Sequence, residues 1–147
     1  MNIRPFRPND QDRAATIIQQ GLTERWGSYD HSFNPDLDDL WANYMTGGAC
    51  FLVAETSDGL VVGTGALVPE DPSTSRIVRM SVARSHRRTG IARELVDALI
   101  DSRPDDVSSI AVETDTPWME AVALYQDCGF TIVAADAAST HFRLELS

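Results

Sequence analysis

The segment Arg84-Ser85-His86-Arg87-Arg88-Thr89-Gly90-Ile91-Ala92 leads from a predicted strand into the clearest predicted helix of the chain, over 90–102. Six apolar residues recur there at helical spacing, namely Ile91, Ala92, Leu95, Val96, Leu99 and Ile100. The start of a helix leaves backbone N–H groups unpaired and carries partial positive charge, which makes a phosphate its natural partner. Because Gly90 lets the backbone approach a ligand closely, the segment predicts an anion site. The alternative is a solvated basic loop that balances an acidic surface.

The charge inventory narrows the function. The chain carries 22 acidic residues against 12 basic ones, for a formal net charge of −10, and every basic residue is an arginine. A chain without lysine has neither a Schiff-base lysine nor the lysine that a P-loop needs for its phosphates. Net negative charge disfavours nucleic-acid binding, which depends on neutralising phosphates. We therefore expect cationic small molecules rather than nucleic acid as partners.

Length and hydropathy predict a single domain over residues 1–147. No apolar run approaches the ~18–20 residues of a membrane span, and residues 1–5 contain no apolar signal core. We therefore expect a cytoplasmic protein without a membrane partner. Cys50 and Cys128 are too few for a disulfide framework. No metal site is expected either, because metal-ligand spacing is missing among the three histidines, His31, His86 and His141.

Hydrophobic periodicity predicts a mixed α/β domain with one central sheet. The predicted strands cover residues 3–6, 50–56, 60–68, 76–82, 107–113, 130–135 and 139–146. The predicted helices cover about 10–22, 36–45, 90–102 and 117–129. Asp58-Gly59 between two apolar runs predicts a hairpin. In the strand 76–82, the alternation predicts an apolar face made of Val78, Met80 and Val82.

Two blocks of the sequence resemble motifs of the GNAT superfamily of N-acetyltransferases. Val82, followed by Arg87-Arg88-Thr89-Gly90-Ile91-Ala92, is similar to the family's acetyl-CoA motif, [Q/R]-x-x-G-x-[G/A] after a strand that ends in valine. Ala121-Val122-Ala123-Leu124-Tyr125-Gln126-Asp127-Cys128-Gly129-Phe130 resembles the family's A-x-x-L-Y-x-x-x-G-F. The blocks stand in the family's order, with a helix and a strand between them. With the predicted elements, the resemblance covers nearly the whole chain.

The resemblance implies a GNAT-like single α/β domain whose mixed sheet of about seven strands, flanked by about four helices, splays between its fourth and fifth strands. Acetyl-CoA would lie in that opening as co-substrate. Tyr125 matches the family tyrosine that often protonates the departing thiolate, and Met80 and Val82 fall where the strand backbone bonds the pantetheine arm. The family's pyrophosphate cradle carries over, mainly as backbone N–H groups, onto Arg87, Arg88, Thr89, Gly90, Ile91 and Ala92.

The implied chemistry is attack of an amine on a thioester carbonyl, which needs a proton acceptor for the amine and a proton donor for the thiolate. Many family members place a glutamate base where this chain has Arg76, and a guanidinium is a poor base. Glu113, at the end of the fifth strand, is therefore the first candidate for the base. Glu70, Asp71 and a chain of water molecules are the alternatives.

The acceptor site is implied near the first two helices and their loop. Asp30 follows the aromatic residues Trp26 and Tyr29 there, and together they can hold a cation by charge and cation–π contact. Three further aspartates are expected to cap a helix, namely Asp36, Asp38 and Asp39. Trp118 stands where the family often has an asparagine. Either a contact to the cofactor arm is lost there, or the indole walls the pocket, or it packs in the core.

The leading prediction is an acetyl-CoA-dependent N-acetyltransferase that acts on a primary amine of a small molecule in a ternary complex. A non-catalytic acyl-CoA-binding module is the first alternative, and Arg76 at the usual base position favours it. A protein acetyltransferase acting on N-termini or side chains is the second. A homodimer is compatible with each of these.

Overall fold

One mixed sheet and four α-helices make up the computed structural model, which describes residues 1–146. The strands are β1 (Asn2–Pro5), β2 (Cys50–Glu55), β3 (Val61–Asp71), β4 (Thr74–Val82), β5 (Ser109–Asp115), β6 (Thr131–Ala135) and β7 (Ser139–Glu145). The helices are α1 (Gln11–Trp26), α2 (Leu40–Tyr44), α3 (Ile91–Asp101) and α4 (Met119–Asp127). The sheet has seven strands, the predicted number, and their order is β1-β2-β3-β4-β5-β7-β6.

The helices cover the two faces of the sheet unequally. On one face, α3 and α4 pack against side chains such as Ile77, Val112 and Phe142. We call this the α3 face. On the other, the α1 face, helices α1 and α2 pack against residues of β2 and β3 such as Phe51 and Val53.

None of the helices in residues 1–146 combines the length and the apolar character that crossing a membrane would require.

The predicted splay between the fourth and fifth strands is confirmed. β4 and β5 run parallel and are paired only at Thr74 with Ser109, Ser75 with Ile110, and Arg76 with Ala111. Beyond these pairs, residues 77–82 of β4 and 112–115 of β5 diverge without pairing. We call the space between them the β4–β5 gap. It leaves one edge of the β4 backbone without a partner strand, because unpaired strand edges keep their N–H and C=O groups free.

Three element boundaries differ from the sequence prediction by three residues or more. Helix α1 continues to Trp26, where its last turn closes through a hydrogen bond from Gly27 N–H to the Thr23 carbonyl at 2.8 Å. The predicted helix 36–45 is divided at Asp39, because that aspartate has an extended backbone and its carboxylate accepts from Ala42 N–H to start the short α2. Strand β3 extends through Asp71, three residues beyond its predicted end at residue 68.

A β-bulge interrupts β4. Arg79 and Met80 together oppose the single Gly65 of β3, and Arg79 has a φ of 56°, which is uncommon for a residue other than glycine. The Thr64 hydroxyl donates to the Arg79 carbonyl at 2.9 Å and so holds the bulged residue. A Cβ on Gly65 would lie 2.6 Å from Met80 Sδ, so any larger residue opposite the bulge would require the Met80 side chain to move.

The bulge makes the predicted apolar face of β4 wrong. Ile77 lies with Met80 and Val82 against the α3-face core, whereas Val78 packs on the α1 face. The extra residue at Arg79 shifts the two-residue alternation by one position, and strict alternation cannot anticipate it.

Candidate active site

The residues of the predicted anion cradle lie at the N-terminus of α3. Gly90 is the N-cap residue, with φ at 85°, and the first hydrogen bond of the helix runs from Glu94 N–H to the Gly90 carbonyl at 3.0 Å. The N–H groups of the first turn therefore have no intrahelical partner. A Cβ at Gly90 would meet no atom within 4 Å, so there is open space in front of the backbone. This arrangement suits a phosphate group.

The arginine side chains of the cradle are engaged by protein groups. Arg87 pairs with Glu24 at 2.5 Å, and its Nε donates to the Val82 carbonyl at 3.0 Å. Arg88, whose side chain is 85% exposed, pairs with Glu120 at 2.9 Å. The groups that remain free for an anion at this helix start are therefore mainly backbone N–H groups.

The other cradle residues shape the loop and the start of the helix. The Thr89 hydroxyl donates to the His86 carbonyl at 2.6 Å and closes the loop. Ile91 is buried in the core and Ala92 is half-buried. Ile91 thus anchors the helix start, while Ala92 adds little bulk near the free N–H groups.

Met80 and Val82 lie on the β4 side of the gap. Their side chains pack partly buried against the α3-face core. Their backbone belongs to the stretch of β4 that has no β5 partner. An extended ligand could pair with this edge as an additional strand does.

Tyr125 lies on α4 and is 4% exposed. Its ring packs against Phe130 and Phe142, at centroid distances of 5.7 and 5.6 Å. Burial raises the pKa of Tyr125, and the positive charge of Arg25 only partly opposes this shift. The phenol is therefore protonated at neutral pH and can serve as a proton donor.

Glu113 lies opposite a histidine that the sequence prediction had not assigned. Glu113 on β5 and His141 on β7 are directly paired, and His141 Nε2 lies 3.1 Å from Glu113 Oε1. Their strand neighbours Val112 and Phe142 are buried on the α3 face, so alternation places the pair on the α1 face. The two side chains are 46% and 42% exposed. Only the pairing register of β5 with β7 brings them together, which is why no local motif revealed the pair.

Arg76, at the usual base position, forms an ion pair with Glu70. The guanidinium donates to Glu70 Oε1 from Nε at 3.0 Å and from Nη2 at 2.5 Å. Asp71 accepts from the Ser73 N–H at 2.9 Å and stabilises the β3–β4 turn. Both alternative carboxylates are thus engaged in interactions that stabilise the hairpin.

Three side chains form a cluster at the open end of the gap, which we call the Arg25 cluster: Arg25, Asp115 and Trp118. The Arg25 guanidinium carbon lies 3.4 Å from the centroid of the Trp118 ring. Arg25 Nη1 lies 3.5 Å from Asp115 Oδ2. Trp118 is the N-cap residue of α4 and stays partly exposed, so its ring stacks beneath a cation instead of filling the core.

The predicted acceptor residues lie near the end of α1. Asp30 is fully exposed, and its carboxylate accepts from the Ser32 N–H at 2.9 Å and the Ser32 hydroxyl at 2.6 Å. These hydrogen bonds lower the pKa of Asp30. Trp26 is 63% exposed, and the Tyr29 hydroxyl bonds to His31 Nδ1 at 2.8 Å. The carboxylate of Asp30 thus caps the turn that follows it.

Of the three aspartates expected to cap a helix, only Asp39 does so. Asp38 lies 3.0 Å from His31 Nε2. Asp36 instead accepts from Arg79, at 2.7 Å from Nη2 and 2.9 Å from Nε, and from the Tyr44 hydroxyl. Burial alone would raise the pKa of Asp36, but these hydrogen bonds outweigh it and hold the pKa below its usual range. The pair fastens the loop before α2 to the β4 bulge.

Comparison with known proteins identifies the family. The model of the acetyltransferase (GNAT) family matches residues 18–130. The chain belongs to the GNAT acetyltransferase family. This GNAT domain is 34% identical over 112 residues to human N-acetyltransferase 8. The alignment covers 71% of the chain and 49% of that protein. It is 36% identical over 116 residues to mouse N-acetyltransferase 8F1. That alignment covers 74% of the chain and 52% of the mouse protein. The chain thus spans about half the length of these curated relatives.

Solved structures share the fold of this GNAT domain at low identity. A GNAT-family acetyltransferase from Staphylococcus aureus Mu50 superposes with a TM-score of 0.88 at 20% identity, over 99% of both chains. The Salmonella typhimurium protein yncA, solved with its cofactor acetyl-CoA, superposes with a TM-score of 0.78 at 18% identity, over 100% of this chain and 94% of that one. These likenesses confirm the GNAT fold.

Proposed function

We propose that this GNAT domain transfers an acetyl group from acetyl-CoA to a primary amine of a small molecule, by direct attack in a ternary complex. The observation that carries the proposal is the β4–β5 gap, which has an unpaired helix N-terminus at the end of β4 and the protonated Tyr125 on the helix beside it. The acetyl-CoA in the structure of yncA supports the choice of donor.

The residues around the gap fit acetyl-CoA. The space in front of Gly90 and the free N–H groups of the first turn of α3 suit a diphosphate. The unpaired edge of β4 at Met80 and Val82 suits an extended arm that carries amides. When bound, acetyl-CoA supplies a thioester whose carbonyl carbon accepts the amine and whose sulfur leaves as a thiolate.

The chain itself orients the two reactants and moves two protons. Glu113, through Oε1 or through the imidazole of His141, accepts the proton that the amine loses as its nitrogen bonds to carbon. Tyr125 donates its hydroxyl proton to the departing sulfur. Solvent then returns a proton to Tyr125 and removes one from the Glu113–His141 pair.

The choice of Glu113 over the other carboxylates follows from their contacts. Glu70 is held by Arg76 and Asp71 by the turn, whereas the carboxylate of Glu113 pairs with the titratable side chain of His141 and remains half exposed. A water chain leading to the same face is the alternative route for the proton. For the acceptor, Asp30, Trp26 and Tyr29 are proposed to hold a cationic amine at the end of α1.

A non-catalytic acyl-CoA-binding module is the second candidate, favoured by Arg76, which occupies the usual base position in an ion pair. Release of free thiol from acetyl-CoA, measured with a panel of small amines, separates the two functions. The enzyme should release thiol in proportion to the amine that it acetylates, as mass spectrometry of the product would show. Binding of acetyl-CoA with no amine-dependent thiol release across the panel would favour the binding module.

A further inference from the structure

The Arg25 cluster connects elements that lie on opposite faces of the sheet. α1 packs on the α1 face and α4 on the α3 face, yet Arg25, in the last turn of α1, stacks on Trp118 at the start of α4. An unbroken sheet would separate the two side chains. They meet because β4 and β5 have diverged at this point, and Asp115, beside them, is the last residue of β5. The cluster therefore lies at the open end of the β4–β5 gap.

The cluster contains one hydrogen-bond donor and one acceptor without partners. Three buried side-chain polar atoms in residues 1–146 make no hydrogen bond, and two of them are Arg25 Nε and Asp115 Oδ2. The third, Arg4 Nε, at least lies 2.9 Å from the carboxylate of Glu55. The separation of 3.5 Å between Arg25 Nη1 and Asp115 exceeds the ~2.7–2.9 Å of a charge-assisted hydrogen bond. Buried polar atoms without partners are destabilising, and in a native protein each calls for an explanation.

A well-formed ion pair elsewhere in the chain shows that this geometry is not a general feature. Arg79 and Asp36 are buried to a similar degree, and the guanidinium makes two hydrogen bonds to the carboxylate, at 2.7 and 2.9 Å. Arg25 is instead held flat on Trp118, which fixes its plane but accepts no conventional hydrogen bond, because an indole N–H is a donor only. Burial lowers the pKa of Arg25, and Asp115 only partly opposes this shift.

We propose that Arg25 and Asp115 bind an amide of the pantetheine arm of acetyl-CoA, with the Trp118 ring supporting the guanidinium. A secondary amide presents one carbonyl acceptor and one N–H donor, which are the complements of Arg25 Nε and Asp115 Oδ2. The Trp118 ring fixes the plane of the Arg25 guanidinium, which reaches from α1 to the start of α4. The inference rests on the proposed function, because it needs the arm to enter the gap.

Titration calorimetry with two ligands tests the assignment. Acetyl-CoA carries the arm, whereas adenosine 3′,5′-bisphosphate has no arm and can contact only the phosphate cradle. Arg25→Leu should weaken acetyl-CoA binding at least tenfold and leave adenosine 3′,5′-bisphosphate within twofold of the parent protein. Arg7→Leu, which removes an exposed arginine from the other end of α1, should change neither affinity.

A buried carboxylate without a partner could destabilise Arg25→Leu, so its melting temperature is measured on the same preparation. If it falls, the double variant Arg25→Leu/Asp115→Leu, which leaves no unpaired charge, replaces it and should show the same selective loss. Acetyl-CoA affinity equal to or tighter than that of the parent would overturn the inference, since Arg25 would then be a spectator or an obstruction in the gap. An equal loss of affinity for acetyl-CoA and for adenosine 3′,5′-bisphosphate would overturn the inference as well. Failure of the parent protein to bind acetyl-CoA at all would refute the proposed function instead.

Discussion

In the half of the sheet formed by β1 to β4, helices cover both faces. Val53 and Ala54, neighbours on β2, point into different cores, and both are fully buried. In the half formed by β5, β7 and β6, the α3 face is equally well packed, with Val112 and Phe142 buried. Their neighbours Glu113 and His141 on the α1 face are half exposed.

The same contrast is visible in the burial of successive residues along the strands. Residues 51–54 and 61–67 are continuously buried, as is typical of strands covered on both faces. β5 ends instead with alternating buried and exposed positions. The first half therefore fixes the geometry of the gap, and the second half offers titratable groups to whatever enters it. Substitutions in the second half should therefore affect catalysis, and substitutions in the first half should affect stability.

The largest effect is expected from the open half. Glu113→Gln should lower kcat by about 100-fold, in the range of general acid–base catalysis, and remove the acidic limb of the pH–rate profile. His141→Asn should lower kcat less and shift that limb, because the carboxylate remains. A profile for Glu113→Gln that matches the parent would eliminate Glu113 and favour a water chain or Glu70.

The closed half should respond in stability. Asp36→Asn leaves the mostly buried Arg79 without its carboxylate and should cost about 1.5–3 kcal/mol of unfolding free energy at neutral pH. Because the pKa of Asp36 is depressed in the folded state, the pair stabilises above the unfolded pKa of ~3.9, and the stabilisation is lost as the pH falls through the folded pKa. Denaturant titrations at several pH values should therefore show that the difference in unfolding free energy between parent and variant becomes small below about pH 4.

Asp38→Asn is the matched control for this measurement. Asp38 lies in the same turn, but its side chain is 71% exposed and pairs only with His31. The variant should stay within about 0.5 kcal/mol of the parent, as exposed ion pairs contribute little. Equal losses for both variants would mean that the turn, and not the Arg79 pair, is what matters.

Tyr125 packs against Phe142 of β7, and its hydroxyl can be removed without disturbing the ring. Tyr125→Phe should lower kcat at least tenfold while the acetyl-CoA dissociation constant stays within about threefold, because a general acid contributes about 10²–10⁴-fold and water replaces part of it. If the tyrosine is only a core aromatic, the melting temperature should fall while turnover stays near normal. Both quantities are measured on one preparation.

The smallest effect concerns the loop after α1. Asp30→Asn should raise KM for a cationic amine by about twofold and leave KM for acetyl-CoA unchanged, because an exposed charge contributes little. Equal changes for both substrates would show that the Ser32 cap made by Asp30 shapes the fold and not the acceptor site.

Local patterns predicted the parts of the site that depend on neighbouring residues. The apolar stripe of α3 and the glycine before it sufficed to predict where this helix starts, since a helix start is made within one turn. The β4 bulge escaped prediction because it depends on how Arg79 and Met80 oppose Gly65 across the hairpin. The Glu113–His141 pair and the Arg25 cluster join residues far apart in sequence, and only the strand register and the splay bring them together.

The central claim is that acetyl-CoA binds in the β4–β5 gap with its phosphates on the N-terminus of α3, and calorimetry on a Gly90 pair tests it most directly. Gly90→Ala measures the strain of a side chain at φ 85°, and Gly90→Glu adds bulk and negative charge in the open space there. The account predicts that the parent binds acetyl-CoA, that Gly90→Ala binds it more tightly than Gly90→Glu, and that Gly90→Glu loses at least tenfold. Unchanged affinity in a folded Gly90→Glu protein would contradict it and move the phosphate site elsewhere.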